Sequence, residues 1–272
     1  MSRQKQKQVS VRNARFQQWE AMLTNRSKRS KLGSFLVHGV RPISLAIDHD
    51  WDIQALLYDA DRNLSNWAES TLRRHGGEQI AVSAPLMREL GEKTDEAPEL
   101  IAQVALPLLD LNSVTPGPQF LGLVFDRPTS PGNIGSLVRS ADAFGADAVI
   151  VTGHAADPFD PKSVRASTGS IFSLPVVSAR SASDVNEWAR RTAPGVQIVG
   201  TDEQSTSDLA NHDFTVPTVV AIGNESKGLS RGWREAVDSM VRIPMMSRAA
   251  SSLNAASAGT VVLYEVARQR QA

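Results

Sequence analysis

Four apolar runs in the second half of this 272-residue chain, FLGLVF, DAVIVTG, VQIVG and TVVAIG, constrain its fold more than any other feature. They read as buried strands, and the helix-like segments between them fall at roughly the spacing of βαβ units. Parallel strands joined through helices make a mostly parallel α/β sheet. Such sheets bind ligands beyond the carboxyl ends of their strands, so the residues that follow each run are where function is sought.

Ahead of these runs, from Phe35 to about Leu106, the shorter runs FLVHGV, ISLAI, ALLY and IAV alternate with helix-like stretches such as Leu64 to His75. That pattern predicts a second, smaller α/β domain, and two domains agree with the length. The first thirty-one residues carry Arg3, Lys5, Lys7, Arg12, Arg15, Arg26, Lys28, Arg29 and Lys31 against the single acid Glu20. Phe16, Trp19 and Leu23 recur there at helical spacing, which predicts a helix with one apolar side and its cations outward. A solvated tail is the competing reading, though it would need no aromatics. The expected division is a basic arm or helix over 1–31, a substrate-binding domain over 32–107, a linker over 108–118 and the larger domain over 119–272. Asn112, Ser113, Pro116 and Gly117 mark the linker.

The charge total, 29 basic against 29 acidic residues, supplies no global field for a polyanion, so nucleic-acid contact must come from a local patch such as the N-terminal one. With no cysteine there is no disulfide, thiol nucleophile or thiolate metal site. No apolar stretch approaches the roughly 18 residues of a membrane span, and no hydrophobic signal core follows the first basic residues. A soluble, unprocessed, cytoplasmic protein is expected.

Three segments follow strand ends. In FDRPTSPGNIGSLVRSADAFG, Pro131, Gly132 and Asn133 read as a turn and helix cap, with Ile134, Leu137, Val138 and Ala141 forming one helical stripe. At about 100° per residue Arg139 falls opposite that stripe and is free to reach a ligand. An Asn cap with a solvated Arg fits the spacing equally well. In TVVAIGNESKGLS the strand ends in Gly223, followed by Asn224, Glu225 and Gly228, where glycines permit close approach of a ligand and the carboxylate can accept N–H bonds. In IPMMSRAASSLNAASAGTVVLYE, Ile243, Pro244 and Met245 are read as a strand end, and Ser252 and Asn254 as cap or first-turn residues of a last helix beginning near Ser251 or Ser252. That arrangement offers an apolar wall for a purine. Each of the last two segments, alone, also reads as an ordinary turn or helix start. Lys162 and Arg165 are candidates to face phosphate or to be a helix's solvated side. His154 reads as a loop residue without a metal-ligand partner. Gly132 and Gly135 do not complete a dinucleotide fingerprint, which disfavours a nicotinamide oxidoreductase, and no serine-hydrolase elbow is present.

Taken in order, N-I-G-S-L-V-R with A-D-A-F-G, then G-N-E-S-K-G, then I-P-M followed by S-L-N, the chain from about Phe120 to Arg270 resembles the SpoU/TrmH branch of the SPOUT methyltransferases. RNARFQQW, NRSKRSKLG and FLVHGVRPISLA resemble the substrate-binding domain of the avilamycin-resistance ribosomal RNA methyltransferases, so a link to antibiotic resistance is implied as well. The resemblance implies a C-terminal SPOUT domain with a deep trefoil knot beside a homodimer interface, preceded by a domain like ribosomal protein L30e. It implies S-adenosylmethionine as cofactor, no metal, and ribose 2′-O-methylation of ribosomal RNA, with a uridine of 23S RNA favoured. Transfer RNA and a non-catalytic RNA-binding role are the alternatives. Carried over by motif, Arg139, Asn133, Glu225 and Ser252 would be catalytic. Thr201, Gly223, Asn224, Ile243, Met245, Ser252, Leu253 and Asn254 would hold the cofactor. Arg12, Arg15, Arg26, Lys28, Arg29, Lys31, Arg139, Lys162 and Arg165 would meet RNA. Two departures stand out: Ser247 replaces a frequent glycine, and six residues separate Met245 from Ser252 where five are expected.

Overall fold

The structure is a computed structural model describing residues 7–75, 77–92, 97–246 and 252–271. Two compact units divide it: the described residues up to Pro107 together with Phe159–Phe172, and Leu108–Pro158 together with the described residues from Ser173 onward.

The first unit opens with β1 (Lys7–Val9), α1 (Ala14–Thr24) and α2 (Arg26–Leu32). Asn13 starts α1 by accepting the N–H groups of Arg15 and Phe16, both at 3.0 Å, which satisfies two of the donors a helix start leaves open. Phe16, Trp19, Met22 and Leu23 are then buried. Asn25 both closes α1 and caps α2 through the Lys28 N–H, and Gly33 ends α2 in the left-handed region. The stretch expected as a basic arm or helix belongs, from Lys7 onward, to this unit: β1 pairs with β4, and α1 turns its apolar side into the core.

There follow β2 (Ser34–His38), α3 (Val40–Asp48), β3 (Ile53–Asp59), α4 (Asn66–Arg74), β4 (Glu78–Val82), α5 (Ala84–Gly91) and β5 (Leu100–Ala105). The run ISLAI lies inside α3. Pro42 suits a first helical turn, and Ile43 and Ala46, three residues apart, are the pair it buries. The sheet order is β1-β4-β3-β5-β2, parallel except where β5 pairs antiparallel with β3 and β2. Side chains of α1 and α5, including Trp19, Met87 and Leu90, close over Leu57, Ile80 and Val82.

The second unit holds β6 (Leu121–Asp126), α6 (Pro131–Ala143) and β7 (Ala148–Thr152). Next in the chain comes α7 (Pro161–Ser167), whose segment Phe159–Phe172 clusters with the first unit although its sequence neighbours do not. The reason is visible in its contacts. Arg29 is buried and donates to Asp160 at 3.3 Å, while Asp160 also caps α7 through the Lys162 N–H at 3.0 Å. Phe159 and Phe172 each sit 5.0 Å, centroid to centroid, from Phe35 and Trp51 respectively.

The second unit resumes with β8 (Val176–Ala179), α8 (Ala182–Thr192), β9 (Gln197–Thr201), β10 (Thr218–Ile222), α9 (Arg231–Ala236), β11 (Ser239–Val241) and α10 (Ala255–Arg270). All strands run parallel in the order β11-β9-β10-β6-β7-β8. The chain builds outward from β6 to β8, crosses back to β9, and inserts β10 beside β6. Progression therefore reverses between β6 and β10, where such sheets open a crevice. Phe120, Trp188 and Trp233 fill one face of the core, and Val114, from the stretch expected as linker, joins them.

Two helix starts differ from expectation. Ser130 rather than Asn133 caps α6, because its hydroxyl accepts the Asn133 N–H and frees the Asn133 amide for other work. Asn254 rather than Ser252 caps α10, accepting from the Ala256 and Ser257 N–H groups at 2.9 and 3.3 Å. Ile243 to Met245 follow β11, which already ends at Val241.

Candidate functional site

The carboxyl ends of the adjacent strands β10, β9 and β11, with the start of α10, enclose a cavity of about 350 Å³. The β9 end contributes residues 201–204, the β10 end residues 222–228, and the β11 end Val241, Ile243 and Met245. Ser252 and Leu253, just ahead of α10, and Ala255 and Ala258 on it close the cavity, with Arg234 from α9. Thr201, Gly223, Asn224, Ile243, Met245, Ser252 and Leu253 are thus brought together as the sequence expects, with Glu225 beside them. Asn254 caps α10 without lining the cavity, and the loop of residues 247–251, where the extra residue and Ser247 fall, lies outside the described residues.

Gly223 has a packing reason to be glycine. A Cβ there would lie 2.7 Å from the Gly228 Cα, with the Leu229 backbone as close again, so the strand end passes flush against its own returning turn.

Glu225 is the hub of the site. One carboxylate oxygen accepts from the Thr129 N–H at 3.1 Å and its hydroxyl at 3.0 Å, the other from the Ser130 N–H at 3.2 Å and the Asn133 amide at 3.0 Å. Burial alone would favour the neutral acid. The bonds from the Asn133 amide, from its own N–H and from the Thr129 and Ser130 N–H groups outweigh it and hold the carboxyl below its ordinary range. An ionised carboxylate only accepts, and this orients the next two side chains. The Asn133 Nδ2 must face Glu225, which turns its Oδ1 toward Asn254; the Asn254 Nδ2 donates to that oxygen at 3.2 Å, leaving its own Oδ1 for the α10 N–H groups. The three sequence segments are tied by this one relay.

Arg139, on α6, is exposed and makes no hydrogen bond or ion pair among the described residues. It does not line the cavity, so it is available to a second molecule. Sequence reasoning missed the charged rim. Asp202 donates its N–H to the Val241 carbonyl at 3.0 Å and pairs through its carboxylate with Arg234, whose Nε is held by the Leu229 carbonyl at 3.2 Å. Glu203, Gln204 and Lys227 stand nearby. The strand-end rule that singled out Gly223 applies equally to Asp202, Glu203 and Gln204 after β9, but this tripeptide has no glycine to draw notice.

The cations expected to meet RNA divide. Arg29 is 1% exposed, with Nη1 on the Met22 carbonyl at 2.6 Å, so it ties α1, α2 and α7 together and cannot reach a phosphate. Arg12 pairs with Glu20 and Glu89, Arg15 with Glu78 while lying over Trp19, and Arg165 with Glu92. Arg26, Lys28, Lys31 and Lys162 are exposed. Phe16 and Trp19 are core residues and not a stacking platform. Among the described residues no group of acids and histidines could hold a metal ion, and no helix is long and apolar enough to cross a membrane.

Residues 121–264 match the SpoU rRNA methylase family and residues 13–102 the SpoU L30e-like domain. The chain is 55% identical over 267 residues to the 23S rRNA (uridine(2479)-2'-O)-methyltransferase of Streptomyces viridochromogenes, covering 97% of this chain and 93% of the relative. It belongs to the SpoU rRNA methylase family. A second full-length relative, the 23S rRNA (guanosine(2553)-2'-O)-methyltransferase of Bacillus subtilis, is 28% identical over 94% of this chain and 97% of its own. The fold superposes on the crystal structure of the SpoU methyltransferase AviRb from S. viridochromogenes in complex with AdoMet with a TM-score of 0.92, at 55% identity, over 96% of this chain and 99% of that one.

The SpoU cavity also fits S-adenosylmethionine on its own chemistry. Ile222, Val241, Ile243 and Leu253 supply apolar walls for adenine, and the Asp202, Glu203, Arg234 and Lys227 side chains supply charge for the polar portions.

Proposed function

We propose that this chain methylates a ribose 2′-hydroxyl of 23S ribosomal RNA, on a uridine, using S-adenosylmethionine. The observation that carries the reading is the Glu225–Asn133–Asn254 relay, which locks three loops around a cavity of cofactor size. Both full-length relatives are named for 23S RNA ribose methylation, which supports ribosomal over transfer RNA, and the more similar of them is named for uridine.

The bound cofactor supplies an electrophilic methyl group on a sulfonium, a reaction that needs no metal. The protein must then bring an alcohol into line with it and lower the cost of losing its proton. A guanidinium is a fixed positive charge with donors only, so Arg139 serves as a phosphate anchor that polarises the neighbouring hydroxyl, the phosphate receiving the proton, and not as a free base. Asn133 and Glu225 hold the start of α6, and so the register of Arg139 on that helix. Ser252 lines the wall of the cavity, beside the capping residue Asn254.

RNA is held by the exposed Arg26, Lys28, Lys31 and Lys162, which set affinity and salt dependence and leave sequence choice to other contacts. The exposed Val261 and Tyr264 of α10, with Met245 and Leu253 at the cavity rim, support a homodimer through the second unit. A deep trefoil knot in the C-terminal domain and a cytoplasmic location complete the reading.

Arg139→Ala tests the mechanism. Methyl transfer to 23S RNA is expected to fall at least about a hundredfold, with S-adenosylhomocysteine affinity by calorimetry unchanged. Near-normal transfer by this variant would remove Arg139 from the reaction.

A further inference from the structure

Arg127, the first residue after β6, holds a left-handed backbone with φ +51°, which costs a side-chain-bearing residue free energy that glycine does not incur. What arginine adds there is its side chain, and that side chain grips the turn of residues 224–228. Asn224 and Gly228 form the base of the turn, bonded to each other in both directions at 3.0 Å. The Arg127 carbonyl accepts from the Asn224 Nδ2 at 2.7 Å, and its Nη2 donates to the Gly228 carbonyl at 3.1 Å. Both stems of the turn are thus held by one residue that does not itself line the cavity.

The guanidinium is aimed by its surroundings. Its Nε donates to the buried Asp126 at 3.1 Å, and Asp126 in turn accepts from the Ser230 N–H at 2.7 Å and the Thr152 hydroxyl at 3.2 Å. Thr152 is fixed by the indole N–H of the buried Trp233 at 3.1 Å. Room for the arginine stem comes from Gly153, where a Cβ would stand 2.7 Å from the Arg127 Cγ. The left-handed backbone, the gap at Gly153 and the buried carboxylate all serve to deliver one guanidinium to one carbonyl.

We infer that Arg127 is a positioning residue for the cofactor wall: it fixes turn 224–228 so that Gly223 stays flush and Glu225 reaches Asn133, and it governs cofactor affinity without touching the cofactor. This rests on the reading of the cavity as an S-adenosylmethionine site.

Strain and grip predict opposite signs. Arg127→Gly removes the backbone strain and Arg127→Asn places a residue type that tolerates the left-handed region, gains that work against the loss of the ion pair to the buried Asp126, so the melting temperature of the full chain is expected to fall by no more than a few degrees. Both lose the Gly228 bond, so titration calorimetry is expected to show S-adenosylhomocysteine bound about tenfold more weakly, with KM for S-adenosylmethionine raised in parallel and kcat at saturating cofactor within about twofold. Wild-type affinity in both variants would overturn the inference. So would a larger fall in melting temperature in both with a loss of kcat, since Arg127 would then only hold the fold. Failure of the wild type to bind S-adenosylhomocysteine would instead sink the cofactor reading, and the inference with it.

Discussion

Replacing Glu225 by glutamine isolates the hub of the site with almost no change of shape. Four of its bonds come from donors leading into α6, the Thr129 N–H and hydroxyl, the Ser130 N–H and the Asn133 amide, and a longer one from the Asn224 amide at 3.4 Å. A glutamine has one accepting oxygen and one NH2, so whichever way it turns, two of those four bonds are lost and donors oppose donors. Each charge-assisted bond contributes about 1.5–3 kcal/mol net, and partial exposure of the site lets water replace part of it, leaving a loss of about 2 kcal/mol. For a unit of this size that corresponds to a melting temperature lower by roughly 4–8 °C. The effect has a pH signature. Because the folded carboxyl titrates below its ordinary value of 4.5, its contribution is fully present above that value and fades as pH falls through the folded one. Glutamine does not titrate, so the gap between wild type and variant, followed by differential scanning calorimetry, is expected to be widest near neutrality and to close in acid. Equal melting temperatures at neutral pH, or a gap that acid leaves unchanged, would refute the hydrogen-bond accounting.

Other perturbations probe separate links. Gly223→Ala forces a methyl onto the Gly228 and Leu229 backbone, so S-adenosylhomocysteine affinity by calorimetry is expected to drop more than about tenfold, and unchanged affinity would mean the strand end has slack. Arg29→Met leaves Asp160 without its guanidinium; because that carboxylate is 21% exposed, the expected cost is about 2 kcal/mol, read as an earlier thermal transition. Replacing Lys28, Lys31 and Lys162 together by glutamine is expected to weaken RNA binding and to flatten the slope of log affinity against log salt by about two, and an unaltered slope would show these lysines merely solvated.

Much of the second unit was legible because burial on both faces leaves an uninterrupted apolar run: all four runs became β6, β7, β9 and β10. The four-residue β8 escaped, lying on an outer edge of the sheet with little pattern to read, and β11, expected to end at Ile243 to Met245, is a three-residue edge strand that ends at Val241. ISLAI misled because a five-residue apolar run suits either period, and Gly39 and Pro42 decided it locally. The glycine- and asparagine-bearing wall of the cavity could be named from motifs, whereas Asp202 and Arg234 meet only through the return of α9 over the β9 end. Cation counting failed at Arg29 for a related reason. Its burial depends on Asp160, 131 residues away, and no local pattern announces such a partner. The same long-range contact, with Phe159 and Phe172, draws α7 into the first unit.

The central claim is a reaction and a substrate. Domain-sized 23S RNA transcripts and whole ribosomal RNA, incubated with the protein and S-adenosylmethionine, can be digested and mapped by mass spectrometry for methylated ribose. Modification is expected at the 2′-oxygen of a single uridine in 23S RNA, abolished in the Arg139→Ala protein. Methylation on a base, transfer only to transfer RNA, or no transfer at all would contradict it.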